Sequence, residues 1–357
     1  MPATSPARVV VVDDSALMRN IVTRSLTKAG IEVVGSARDG DGALAVCARE
    51  NPDAMTLDLT MPGLDGLGVL RALRARTDTN IPVVVVSAFS AAHGARAVDA
   101  LAEGAFDLVS KPTASESLDT FIENLGTKVK LAAASRRRPR PVRNAATPTV
   151  VASRGGGAAL APRRARPVSR VARLVLIATS TGGPRALATL VPKLPAPLGV
   201  GTLIVQHMPA GFTGSLAARL NASSALNVVE ATGGETLDPR TALLAPGGLH
   251  MRLGQDGRTT LSEEAPVGGL RPRADLLIRD AARAYRGRLL LVVLTGMGSD
   301  GLAGAQEVRR FGGRILVEAE ESCTVYGMPR AIVEAGLADE VLDLSCLADA
   351  IATEARA

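Results

Sequence analysis

Short runs of Val, Leu, Ile and Ala alternate with longer stretches of helical apolar spacing, first from Arg8 to about Gly126 and again from Arg173 onward. This rhythm excludes most folds. A run that is apolar at every position has no solvent face, so it belongs in a strand covered on both sides. The stretches between the runs then become the covering helices, and the strands lie parallel. The sequence therefore predicts an α/β chain with two doubly wound, mostly parallel-sheet domains. In the first half Val9–Val12, Ile31–Val34, Ala54–Leu59, Val83–Ser87 and Phe106–Val109 read as strands. In the second, Leu174–Ala178, Thr202–Gln206, Asn227–Glu230, Arg288–Leu294 and Arg314–Val317 do so. The stretch 243–261 reads as a β-hairpin insertion turning at Asp256-Gly257. With no Trp, five Phe and two Tyr, both cores must be aliphatic.

Residues 124–170 hold twelve of the 41 Lys and Arg and no acid, leaving 29 basic against 35 acidic residues elsewhere. The segment includes Arg136-Arg137-Arg138-Pro139-Arg140-Pro141 and Gly155-Gly156-Gly157. One-sign charge with Pro and Gly has little to bury and reads as a linker. The expected division is 1–126, a linker over 127–170, and 171–357. A basic run supplies salt-sensitive affinity for nucleic acid, so a DNA-binding or scaffolding protein is the alternative reading. Against it, no helix-turn-helix pattern follows and stacking aromatics are scarce, so no nucleic-acid partner is expected. Cys47, Cys323 and Cys346 are far apart, which indicates neither a disulfide framework nor zinc. No apolar run approaches the ~20 residues that span a bilayer, and Met1–Arg8 lacks a signal-peptide core. A cytoplasmic protein without membrane insertion is expected.

Function gathers at strand ends. Asp13 and Asp14 follow the first strand, Asp58 ends the third, Ser87 the fourth, and Lys111 follows the fifth. A doubly wound sheet brings such ends to one edge. Any one of these acids alone would be an ordinary loop or cap residue. Together, Asp13, Asp14 and Asp58 repel one another unless a cation joins them, and Mg²⁺ suits an all-oxygen site. A carboxylate beside Mg²⁺ can accept a phosphoryl group, with Lys111 and the Ser87 hydroxyl near its oxygens.

In the second half, Leu174–Ala178 runs into Thr179-Ser180-Thr181-Gly182-Gly183-Pro184, a strand-to-helix turn. Ser180 there is either a helix cap or a nucleophile beside free N–H groups. The turn resembles a nucleophile elbow with Ala178 at its first glycine position. His207 ends the next strand, and Asp300 follows Leu294 in Thr295-Gly296-Met297-Gly298-Ser299-Asp300. Ser, His and Asp at three strand ends of one sheet favour the nucleophile, with His207 as base and Asp300 as its orienting acid. Serine chemistry of this kind calls for no cofactor.

The stretches VVVVDDSALMR, DLTMPGLDGL, VVVSA and GAFDLVSKP resemble the receiver domain of two-component response regulators over residues 8–126. The resemblance implies a flavodoxin-like receiver with Asp58 as phosphoacceptor and Asp13 and Asp14 at the metal. Ser87, Lys111 and Phe106 match the residues that sense the phosphoryl group. Likewise ATSTGG, QHMPAGFTGSLAARLN, APGGLHM, LTGMGSDG and ESCTVYGMP resemble the catalytic domain of chemotaxis protein-glutamate methylesterases over 171–353. This second resemblance implies a Rossmann-like hydrolytic domain using Ser180, His207 and Asp300, with Met297 and the Thr181 turn supporting the oxyanion. It further implies methyl-accepting chemoreceptors as substrate, release of methanol, deamidation of receptor glutamines, a histidine kinase as phosphodonor, and a monomer. Thr179, Arg273 and the run Glu318-Ala319-Glu320-Glu321 depart from the family pattern, and Arg273 is expected at the cleft rim.

Overall fold

The computed structural model describes residues 5–75, 80–88, 91–112, 117–137 and 172–356. The first sheet is built from β1 (Arg8–Val12), β2 (Glu32–Ala37), β3 (Ala54–Leu57), β4 (Val83–Ser87) and β5 (Asp107–Ser110). Helices α1 (Ala16–Lys28), α2 (Gly40–Glu50), α3 (Gly66–Ala75), α4 (Ala91–Ala102) and α5 (Leu118–Arg137) connect and cover them. Ser15 caps α1 and Asp39 caps α2, each through a side-chain oxygen. All strand pairs are parallel, in the order β2-β1-β3-β4-β5. The order reverses between β1 and β3, so a crevice opens at their C-terminal ends.

Helix α5 runs on to Arg137 instead of ending near Gly126. Val129, Ala132 and Ala133 are buried on its inner face, so the first part of the expected linker is receiver helix. The rest of that linker lies outside the described residues.

The second domain holds β6 (Leu174–Thr179), α6 (Gly183–Leu190), β7 (Gly201–Gln206), α7 (Thr213–Asn221), β8 (Asn227–Glu230) and β9 (Thr241–Leu244). After these come β10 (His250–Leu253), β11 (Thr259–Ser262), α8 (Ala274–Tyr285), β12 (Leu289–Val293), α9 (Leu302–Arg310) and β13 (Arg314–Glu318). It closes with α10 (Met328–Glu334), β14 (Glu340–Leu342) and α11 (Leu344–Arg356). Its parallel sheet has the order β14-β13-β12-β6-β7-β9-β8. β10 and β11 form the expected antiparallel hairpin, whereas Leu243 and Leu244 belong to the main sheet. β9 and β14 are edge-side strands of four and three residues, too short to stand out as apolar runs. The chain crosses from one side of β6 to the other between β7 and β12, which puts the switch point at the ends of β6, β7 and β12.

The receiver is seated on the second domain through α4, which packs on α6 and α7. A Cβ added to Gly94 would lie 2.6 Å from the Gly211 carbonyl oxygen, so the two backbones nearly touch. Arg219 of α7 pairs with Asp99 of α4.

Candidate active site

Register explains how the serine and histidine meet. β6 pairs with β7 so that Thr179 faces Gln206, which makes Ser180 and His207 the next residues out on neighbouring strands. The His207 N–H donates to the Thr179 carbonyl (3.1 Å), and the Gln206 amide donates to the Ser180 and His207 carbonyls (2.9 and 3.0 Å). On the other flank, the Ser180 N–H donates to the Thr295 carbonyl beyond β12 (3.0 Å). The Thr295 hydroxyl donates to the Thr181 carbonyl (2.9 Å). Gly183 starts α6 so close to β7 that a Cβ would sit 2.0 Å from the Gln206 amide oxygen, and only glycine fits. Gly182 holds φ +82°, the left-handed conformation that turns strand into helix.

Asp300 arrives from the loop after β12. Its Oδ2 lies 2.8 Å from His207 Nε2 and also accepts the Ala274 N–H (2.7 Å), while Oδ1 accepts from Asp275 and Gly301 (3.0 and 2.9 Å). Asp300 thus caps α8 across the domain instead of its own helix, where Gly301 holds the cap position. Burial pushes its carboxyl up, but His207 and the Asp275 and Ala274 N–H groups overcome this and hold it below the usual carboxylate range. Facing an ionised Asp300, His207 Nε2 carries the proton. Its Nδ1 is then the acceptor, and it is buried without a hydrogen bond among the described residues. Ser180 and His207 follow paired residues of β6 and β7, but no hydrogen bond joins their side chains among the described residues.

Two expected members behave differently. Thr181 turns its hydroxyl to the receiver, donating to Asp107 Oδ2 (2.5 Å), and Met297 stays 40% exposed beside the serine turn. Arg273, expected at the cleft rim, is 19% exposed in its side chain. Its Nε lies 2.9 Å from Asp300 Oδ1 and its Nη2 donates to Asp275 Oδ2 (2.9 Å). His250 is fully buried; its Nδ1 accepts the Arg273 N–H (3.2 Å), so it is a structural support. Sequence reading missed Asp275 and Asp107. An acid in the first turn of α8 was the signal for one, and adjacency to Phe106 the signal for the other.

In the receiver, oxygens of Asp13, Asp14 and Asp58 all lie within 4.8 Å of one another. Lys111 Nζ stands 2.7 Å from Asp58 Oδ2 and 2.8 Å from Asp13 Oδ2. Burial pushes the Asp13 carboxyl up despite Lys111, and the Asp58 charge adds to that. A carboxylate cluster still short of positive charge fits a hard divalent cation. Ser87 is buried at the end of β4. Phe106 is buried in a cluster that Val325 of the second domain joins. Val325 in turn donates its N–H to the Thr295 hydroxyl (2.9 Å). The receiver therefore meets the serine turn through Asp107–Thr181 and the packing of Val325 on the Phe106 cluster, at the end of β5 opposite the acidic cluster.

The fold and these two sites define a class: a receiver domain joined to a parallel-sheet hydrolase domain. The family described as response regulator receiver domain matches residues 9–123, and that described as CheB methylesterase matches 175–351. The chain is 44% identical over 350 residues to the protein-glutamate methylesterase/protein-glutamine glutaminase of Symbiobacterium thermophilum, covering 97% of this chain and 96% of that one. A second relative, numbered 5 in Myxococcus xanthus and named for the same activities, is 44% identical over 348 residues and 95% of each chain. The crystal structure of the Thermotoga maritima CheB methylesterase catalytic domain is 40% identical, covers 50% of this chain and 97% of its own, and gives a TM-score of 0.49. The chain belongs to the protein-glutamate methylesterase/protein-glutamine glutaminase family. Among the described residues no helix is long and apolar enough to cross a membrane.

Proposed function

We propose that this chain is a phosphorylation-activated methylesterase that removes methyl esters from glutamates of chemoreceptors and deamidates their glutamines. The observation that carries the reading is the Asp300–His207 pair set beside Ser180 on adjoining strand ends, in a chain similar over nearly its whole length to enzymes named for those activities. A DNA-binding or scaffolding output gains no support from the fold or the relatives.

Ser180 Oγ attacks the ester carbonyl while His207 Nδ1 takes its proton. Asp300 keeps the ring in the required tautomer and stabilises the imidazolium. Backbone N–H groups of the Thr181 turn and the Met297 loop are the donors this reading assigns to the developing oxyanion. His207 then protonates the departing methoxide, which leaves as methanol. Water, deprotonated by His207, cleaves the acyl-serine to the free carboxylate. With glutamine the leaving group is ammonia.

In the receiver, Asp13, Asp14 and Asp58 would hold Mg²⁺, which offsets charge on the oxygens of a phosphoryl group being transferred. Asp58 accepts that group from a histidine kinase, and Ser87 and Lys111 respond to it; Phe106, expected to join them, lies at the opposite end of β5. The receiver, linker and hydrolase divide near 137 and 170 in this reading, with α5 carried by the receiver, and the monomer works in the cytoplasm. Unphosphorylated, the receiver covers Ser180 through the Asp107–Thr181 contact. Methanol and ammonia release from methylated receptor membranes, measured with and without a small-molecule phosphodonor, tests the reading. No methanol in either condition would sink it.

A further inference from the structure

Two buried carboxylates meet behind His207. Asp300 accepts the N–H of Asp275, and Asp275 Oδ1 accepts the N–H groups of Gly301 and Gly304 (3.0 and 2.8 Å). Asp300 therefore caps α8, which carries Asp275, and Asp275 caps α9, which follows Asp300. Side by side at the starts of α8 and α9, both are nearly inaccessible. Two neighbouring carboxylates out of water ordinarily share a proton, because like charges resist joint ionisation. Burial raises the Asp275 carboxyl above its usual range and the Asp300 charge raises it further, against the Gly304 N–H and Arg273.

The counter-charge comes from Arg273. Its guanidinium spans the pair, with Nε 2.9 Å from Asp300 Oδ1 and Nη2 2.9 Å from Asp275 Oδ2, while Nη1 donates to the Val267 carbonyl (3.1 Å). His250 accepts the backbone N–H of Arg273 and so fixes the main chain from which the guanidinium extends. Lysine would bring the charge without that fork. Of the other titratable groups, His207 meets Asp300 and His250 meets the Arg273 backbone, while the Arg273 guanidinium faces both acids.

We propose that Arg273 is a positioning residue that keeps Asp275 ionised beside the ionised Asp300, so that the pair holds His207 in place to lower pH than the chain could without that guanidinium. The inference rests on the reading of Ser180, His207 and Asp300 as the reacting set. Arg273 touches no substrate in it and acts only through Asp300.

The test uses the full chain with a phosphodonor and a fluorophosphonate that labels active serines. Labelling rates at Ser180 are followed across pH for the wild type, Arg273→Met and Arg273→Lys. For Arg273→Met the acid midpoint is expected to rise by about one pH unit, the usual consequence of losing a nearby opposite charge. The plateau rate should stay within about threefold, and Arg273→Lys should recover at least half of the midpoint shift. An unchanged midpoint with a uniformly slower rate would make Arg273 merely structural and overturn the proposal.

A second readout needs no chemistry at Ser180. The stability difference between wild type and Arg273→Met, from thermal melting, should widen from about pH 4 to pH 7 as the unshielded pair is forced to ionise. A difference constant with pH overturns the proposal. Absence of labelling at Ser180 in the wild type would instead overturn the nucleophile assignment, and the melting comparison would still decide the role of Arg273.

Discussion

The docked receiver can be forced off by one methyl group. Gly94 lies in α4, where a Cβ would come 2.6 Å from the Gly211 carbonyl oxygen and 3.0 Å from Ser215 Oγ, both in the hydrolase domain. The first contact is with backbone, so it cannot be relieved by a rotamer change. Within the receiver, Gly94→Ala favours the helix by up to about 1 kcal/mol, so α4 itself is not harmed. Overpacking of this kind costs about 1–3 kcal/mol, and here the cost falls on the docked state alone. At about 1.4 kcal/mol per factor of ten, the undocked fraction should rise about 5- to 150-fold, capped by the rate of the phosphorylated enzyme. The assay is methanol release from methylated receptor membranes, with and without phosphodonor. Gly94→Ala should raise the unstimulated rate at least about fivefold and leave the stimulated rate within about twofold. An unstimulated rate equal to that of the wild type would refute the idea that seating of the receiver holds the enzyme off.

Three further outcomes bear on the assignments. Ser180→Ala should lower methanol release by a factor of ~10⁴–10⁶ while Asp58 still takes up phosphoryl groups; retained turnover would remove Ser180 as nucleophile. Asp58→Asn should abolish the response to phosphodonor and leave fluorophosphonate labelling of Ser180 at its unstimulated rate, whereas a preserved response would place the phosphoacceptor elsewhere. Glu318 is fully buried at the end of β13, and burial raises its carboxyl above the usual range. A raised carboxyl contributes stability while protonated and loses it as pH rises through the folded-state value. Glu318→Gln should therefore gain in melting temperature over the wild type as pH rises from about 5 to 8, and a gain independent of pH would contradict this account.

Strand ends carried most of what the sequence revealed. In a parallel sheet every strand delivers its C-terminal residue to one edge, so Asp13 and Asp58 in the first sheet, and Ser180 and His207 in the second, could be placed together before any distance was known. Asp300 was harder. Its position after β12 was legible, but its role in capping α8 depends on how the chain returns past the hairpin, and no local pattern encodes that. Arg273 misled for the same reason: a charged residue before a helix reads as exposed until two buried carboxylates are found beneath it. The end of α5 was hidden by composition. Lys128, Lys130 and the arginines from Arg136 look like linker, yet Lys128 reaches back to Asp107 (3.0 Å) while the opposite face is buried. Contacts between the domains, such as Asp107–Thr181, leave no periodicity in either partner.

The order of assembly constrains how phosphorylation can act. In the docked structure His207 and Asp300 are already joined at 2.8 Å, and Asp300 is fixed by three backbone N–H groups that do not touch the receiver. The receiver instead holds Thr181, one residue beyond Ser180, and packs against Val325 behind Thr295. Inhibition therefore falls on access to the serine turn and on its shape, not on the basicity of the histidine. If so, undocking should multiply the rate by the same factor at every pH, because the groups that set the pH profile keep their partners in both states. A midpoint that moved with phosphorylation would mean that the signal reaches the Asp275–Asp300 pair, and that the two domains share more than a covered door.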